Sequence, residues 1–119
     1  MARYVDGFVL PVPKAKLAAY KKMARLASKV WREHGALEYV ECTGDDVPMG
    51  KVTSFPQAVK LKKDELVVFA WVVYKSRKDR DRIMKLVMED KRFAGYDPKN
   101  MPFDGKRMFW GGFKEFVKA

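Results

Sequence analysis

Cysteine is almost missing: Cys42 stands alone among 119 residues, so no disulfide can form within the chain and a reducing compartment is expected. Histidine is equally scarce, with His34 the only one. Zinc wants three or four Cys, His or carboxylate ligands at close spacing, and His34 with Cys42 supplies too few soft ones. Asp45-Asp46 resembles half a calcium loop but lacks the following acidic ladder and the closing glutamate. No metal is therefore expected. A haem ligand would have to be His34, with nothing beside it in support. Phosphate-cradling patterns are missing too: there is no Gly-x-Gly-x-x-Gly, and Gly50-Lys51 is followed by Val52 rather than Ser or Thr. No cofactor is expected either. No apolar run is long enough for a membrane span, which needs about 20 residues. The first seven residues, Met1-Ala2-Arg3-Tyr4-Val5-Asp6-Gly7, carry charge where a signal peptide would need its apolar stretch. The chain reads as cytoplasmic.

Acidic residues are outnumbered, 15 against 25 Lys+Arg, for a net charge of +10. That balance could attract nucleic acid or acidic ligands. Yet the two signs are interspersed, and there is no basic tract of five, no zinc spacing and no aromatic RNP-like motif. Basic residues at helical spacing are usually a solvated face. Nucleic acid is thus an alternative partner rather than the leading one. At 48% hydrophobic and 34% charged the composition is globular, and the length suits one domain, residues 1–119.

What the chain does have is Leu66–Tyr74, nine apolar or aromatic residues bounded by charge. β-Branched and aromatic residues in so short a run predict a strand. Alternation puts Leu66, Val68, Ala70, Val72 and Tyr74 on one face and Val67, Phe69, Trp71 and Val73 on the other. Neither face is polar, so both need cover. Leaving Leu66, Val68 and Val72 wet would forgo about 1.5–3 kcal/mol each, comparable with the roughly 5–15 kcal/mol that holds a small domain together.

Around this strand the other elements fall into order. Tyr4–Val12 predicts a first strand ended by Pro11 and Pro13, with Gly7 marking a bulge or a close approach. Lys14–His34 predicts an amphipathic helix: Leu17, Tyr20, Ala24, Ala27, Trp31 and His34 form one stripe, and Lys22, Arg25, Lys29 and Arg32 the opposite one. Small Ala24 and Ala27 would let it approach a sheet closely, and Gly35 stops it. Leu37–Thr43 reads as a second strand, followed by a long connection, Gly44 to Lys63, of the kind that is commonly functional, an arm or locally structured. Ser76 caps a second helix running to Met88, with Asp79 placed as in a capping box. An irregular stretch, Lys91–Gly105, leads to a fourth strand, Arg107–Val117, where Gly111-Gly112 marks a bend or bulge.

The order β-α-β-β-α-β is the ferredoxin-like split unit, an α+β fold with a four-stranded antiparallel sheet. Two helices cover one sheet face, and no element is left for the other. The expectation is an obligate homodimer, sheet against sheet about a two-fold axis, making a dimeric α/β barrel with the helices outside.

Several segments carry a family resemblance: Tyr4–Pro13, Val30–Tyr39, Gly44–Pro48, Lys51–Pro56, Met101–Met108 and Gly111-Gly112-Phe113. Over nearly the whole chain they resemble the YbaA-like family of uncharacterised bacterial proteins. That resemblance implies the dimeric α/β-barrel superfamily and supplies no activity. Wider relatives in that superfamily include cofactor-independent monooxygenases, haem-degrading enzymes, lactone isomerases and stress-related proteins, which at this distance imply a small-molecule pocket and little else.

Candidate chemistry is sparse. His34 ends the buried stripe one turn after Trp31, beside Glu33, where it is a general acid or base in a helix–sheet cleft or else a ring that satisfies the last helical carbonyls. Asp6 shares a strand face with Tyr4, Phe8 and Leu10 and needs a partner there. Arg107, on the neighbouring strand, is the expected one, either as a register-fixing ion pair or in a substrate role. Trp31, Tyr39, Trp71, Arg107 and Trp110 are the candidate ligand-binding residues, the aromatics lining a pocket for flat ligands or simply forming core. Cys42, next to Glu41, reads as a small core residue. The leading expectation is a homodimer with a small-molecule pocket between sheet and helices. It is either a cofactor-independent enzyme of monooxygenase or isomerase type, or a metabolite-binding or stress-related module. The alternative is an RNA- or polyanion-binding protein using the basic helix faces.

Overall fold

The computed structural model describes residues 2–119. Its centre is a pair of ten-residue strands, β1 (Tyr4–Pro13) and β3 (Glu65–Tyr74), flanked by six-residue edges, β2 (Glu38–Thr43) and β4 (Phe109–Lys114). The sheet order is β2-β3-β1-β4 with every neighbour antiparallel, the ferredoxin-like arrangement expected of the element order. Helix α1 (Leu17–Glu33) follows a 3₁₀ turn at Lys14–Lys16. It stops where Gly35 takes a φ of 119°, a left-handed value that glycine adopts without penalty. Between β2 and β3 lies a short helix, α2 (Phe55–Ala58), and after β3 comes α3 (Arg77–Met88). The Ser76 side chain caps α3 by accepting from the Asp79 amide at 3.1 Å. The Asp79 carboxylate binds Arg82 at 2.8 Å, so only the serine half of the capping box is used.

Register decides which side chains meet the helices. Tyr4, Asp6, Phe8, Leu10 and Val12 lie level with Tyr74, Val72, Ala70, Val68 and Leu66, while Tyr39, Glu41 and Thr43 extend the same face on β2, and Trp110 and Gly112 do so on β4. Val30 of α1 and Ile83 and Val87 of α3 pack on Val72 and Tyr74; Tyr20 packs on Leu10, Val12 and Val68. Val30, Ile83 and Val87 are fully buried, worth about 1.5–3 kcal/mol each. Lys22, Arg25, Lys29 and Arg32 face solvent.

The opposite face corrects one expectation. The connection between β2 and β3 is not idle: Ser54 caps α2, accepting from the Gln57 amide at 3.1 Å, and the chain after it lays Val59 and Leu61 on Val9 and Val67. The chain therefore owns a partial roof for this face. It covers only one end: Phe69, Phe109 and Phe113 remain 42%, 46% and 64% exposed, and Phe55 stacks edge-on against Phe69 at 5.9 Å. Cys42, level with Phe69, is exposed here too, not a core residue, because β2 is an edge strand beyond the reach of that roof.

Neither glycine site holds a bulge. Pairing runs without interruption through Gly7↔Trp71 and Gly7↔Gly111, and a Cβ at Gly7 would meet nothing within 4 Å. Gly112 is required for a different reason: a Cβ there would collide with the ring and hydroxyl of Tyr4.

Candidate functional site

Between the helix-facing side of the sheet and the helices is a cavity of about 720 Å³. The small side chains explain it. Ala24 and Ala27 on α1 and Ala70 on β3 all line this space, so the room they leave is kept as cavity instead of being closed by nearer approach of the helix. The stretch after α3 makes the remaining wall with Phe93, Tyr96, Met101, Phe103 and Met108. Five of the chain's seven methionines, Met23, Met84, Met88, Met101 and Met108, line it; thioethers fill irregular apolar surfaces and adapt to varied shapes. An apolar space of this size with few polar groups is the usual form of a small-molecule site.

The polar group in it is Glu41. The Tyr20 hydroxyl donates to Oε1 and the Tyr39 hydroxyl to Oε2 at 2.6 Å. Burial, and then the Glu41 charge, hold both phenols well above the ordinary tyrosine range, so both remain hydrogen-bond donors at neutral pH. Trp31 packs against Tyr39 with ring centroids 5.6 Å apart, and Phe103 meets Tyr20 edge-on at 5.8 Å. No Lys, Arg or His side chain lines the cavity among the described residues.

The candidate ligand-binding residues divide between three places. Trp31, Tyr39 and Trp110 line the cavity together. Trp71 lies on the opposite sheet face, level with Gly7 and Val40, and its indole donates to Glu38 at 2.8 Å. Arg107 is not the partner of Asp6. It precedes β4, whose first residue, Phe109, pairs with Val9, so it is far along the sheet from Asp6. It forms a two-pronged pair with Glu65 at 2.7 and 2.6 Å and holds Asp104 at 2.8 Å.

Asp6 is fully buried, and its nearest cation is Arg80, 3.8 Å away. Neither carboxylate oxygen makes a hydrogen bond, and burial holds its pKa above the ordinary value against the pull of Tyr74 and Arg80. Arg80 also stacks on the rings of Tyr4 and Trp110, 5.1 and 5.9 Å from their centroids. The Trp31 indole donates to Tyr74 at 3.0 Å. Asp6 itself does not line the cavity. Nor does His34, whose Nε2 sits 2.9 Å from Asp90 near the surface, within a cluster that includes Arg92 and Glu33. Arg92 is the main reason the Asp90 carboxyl lies well below its usual range. No grouping of three His, Cys, Asp or Glu side chains suited to a metal ion occurs among the described residues.

Sequence reasoning passed over Glu41, Tyr20 as its donor, and the methionines. One signal was available: strand alternation places Glu41 on the face of Tyr39, an acid on the side the helices must cover.

A family model described as "Protein of unknown function (DUF1428)" matches residues 3–105. The chain is similar to the uncharacterized protein YbaA of Escherichia coli strain K12, 48% identical over 115 residues and covering 97% of each chain. The YbaA protein of Shigella flexneri matches with the same identity and coverage. Among solved structures, the chain resembles a dimeric ferredoxin-like protein from an uncultured marine organism, with a TM-score of 0.59 at 10% identity, covering 100% of this chain and 98% of that one. At such identity the likeness shows the fold alone.

Proposed function

The chain belongs to the DUF1428 family of proteins of unknown function, and from that starting point we propose that it binds an apolar, flat small molecule in the cavity between sheet and helices. One observation carries this: an apolar space of about 720 Å³ with, among the described residues, one carboxylate, Glu41, set in its wall between two tyrosine hydroxyls. Glu41 is half-buried and both its oxygens are held by tyrosine hydroxyls, so it stands as one fixed polar group in an apolar wall, the pattern by which small-molecule sites orient what they bind. His34 and Asp6 stand outside the lining, so the reading is of a metabolite-binding module more than of an acid–base enzyme; whatever chemistry occurs must use Glu41 and its tyrosines. The site of action proposed is the cytoplasm, in keeping with the lone unpaired cysteine; among the described residues no helix is long and apolar enough to cross a membrane.

The test is a titration with the neutral fluorophore N-phenyl-1-naphthylamine. Saturable enhancement in the wild type, lost in Ala27→Phe with the fold retained, supports the reading. No saturable binding at any soluble concentration overturns it.

A second reading concerns assembly. The aromatic side chains Phe69, Phe109 and Phe113 on the helix-free face favour a homodimer that buries them. The marine ferredoxin-like protein is itself dimeric.

A further inference from the structure

We infer that the ligand of this cavity is a lipophilic cation: an apolar, aromatic-compatible body carrying one protonated amine or quaternary ammonium directed at Glu41. The inference rests on the cavity reading above and adds the charge of the occupant. Its first support is a mismatch between the whole chain and this one place. The protein carries 25 Lys and Arg against 15 acids, yet among the described residues no Lys or Arg lines the cavity, and the one charged side chain there is a carboxylate. An anionic ligand would find no partner and would face Glu41 directly.

The second support is geometric. Aromatic side chains from three elements gather at Glu41: Tyr20 of α1 and Tyr39 of its own strand donate their hydroxyls to it, and Trp31 of α1 and Phe103 of the stretch before β4 pack on those two rings. Aromatic faces attract cations through their quadrupole, and a carboxylate at the edge of such a box adds a full charge in a partly desolvated setting. The phenol hydroxyls point their protons at Glu41, so the rings are fixed and the carboxylate keeps further lone pairs for an N–H donor.

Neighbouring cations leave the box open. Lys21 and Arg25 border a separate cleft of about 270 Å³ that shares Tyr20, Tyr39 and Glu41 with the cavity, but no ion pair to Glu41 forms among the described residues. Arg80 stacks on Trp110 and is engaged by Asp6 and Asp81. The methionine lining completes the fit, because polarizable thioethers accommodate bulky apolar groups of varied outline.

The probes are tetraphenylphosphonium and tetraphenylborate, near-isosteres of opposite charge, each used to displace N-phenyl-1-naphthylamine from the full chain. The phosphonium is expected to displace at about tenfold lower concentration than the borate, although a protein of net charge +10 would by itself favour the anion. Glu41→Gln is expected to weaken the phosphonium about tenfold. Naphthylamine binding with the borate as effective as the phosphonium, or an unchanged phosphonium affinity in Glu41→Gln, overturns the cationic assignment and leaves the cavity reading standing. Absence of naphthylamine binding removes both. Should Glu41→Gln fail to fold, the phosphonium–borate comparison on the wild type decides alone.

Discussion

Two glycines in paired strands make a sharp contrast at the level of single residues. Gly112 gives its space to the Tyr4 ring, so Gly112→Ala forces that ring and its stacking with Arg80 aside. A loss of about 1–3 kcal/mol in urea unfolding is expected. Gly7→Ala adds a methyl into open space, and alanine lowers the entropy of the unfolded chain, so the same measurement should show no loss. Asp6 offers a pH signature. Its folded pKa lies above the ordinary 3.8 because of burial, so its contribution is undiminished below that value and falls as pH rises through the folded pKa. Asp6→Asn should therefore melt a few degrees above wild type at pH 7.5, with the gap closing towards pH 3.5 in a series of thermal melts. That Asp6 would be buried among apolar neighbours was legible from strand alternation. Its cation was not, because Arg80 belongs to a helix whose rotation about its axis is set by packing, which no local pattern specifies.

Among the elements, the link between α2 and the sheet hangs on Arg107. Its guanidinium reaches Glu65 and the backbone oxygens of Val59 and Lys60, fastening the roof segment to the start of β3. Arg107→Ala should cost about 2–3 kcal/mol and open residues 44–63 to limited proteolysis sooner than the rest of the chain. Arg107 holds the Glu65 pKa below 4.5, so the pair's stabilisation is complete above that value and is lost as pH falls through the folded pKa. The variant should accordingly differ least from wild type in acid. Both long helices and all four strands could be read from periodicity and caps, since Ser76, Gly35 and the alternating runs are local signals. The four residues of α2 were hidden inside Gly44–Lys63 because a single helical turn has no period to show. The wall made by residues 91–108 was equally hidden, as 3₁₀ turns at Lys91–Phe93 and Pro98–Asn100 leave no repeating pattern.

For the molecule as a whole, the aromatic row on the helix-free face argues for pairing with a second copy. Light scattering should give a dimer mass at micromolar concentration, and Phe113→Asp should shift it to monomer, because a carboxylate at that position cannot be buried without a partner. The basic helix faces offer the rival arrangement. A mobility shift with bulk RNA that weakens steeply between two salt concentrations would show a polyanion partner there. The need to cover a second sheet face was legible in Leu66–Tyr74, but how far the chain's own connection would cover it depended on where Val59 and Leu61 came to rest. The thioethers lining the cavity carry a chemical liability of their own. Peroxide converts such sulfurs to sulfoxides, turning greasy walls into polar ones. Mild oxidant should abolish naphthylamine uptake while the melting curve scarcely moves, and mass spectrometry should find the loss tracking oxygen on half-buried Met23, Met84, Met101 and Met108 rather than on Met49 and Met88, which are 59% and 68% exposed: the lining would corrode before the fold did.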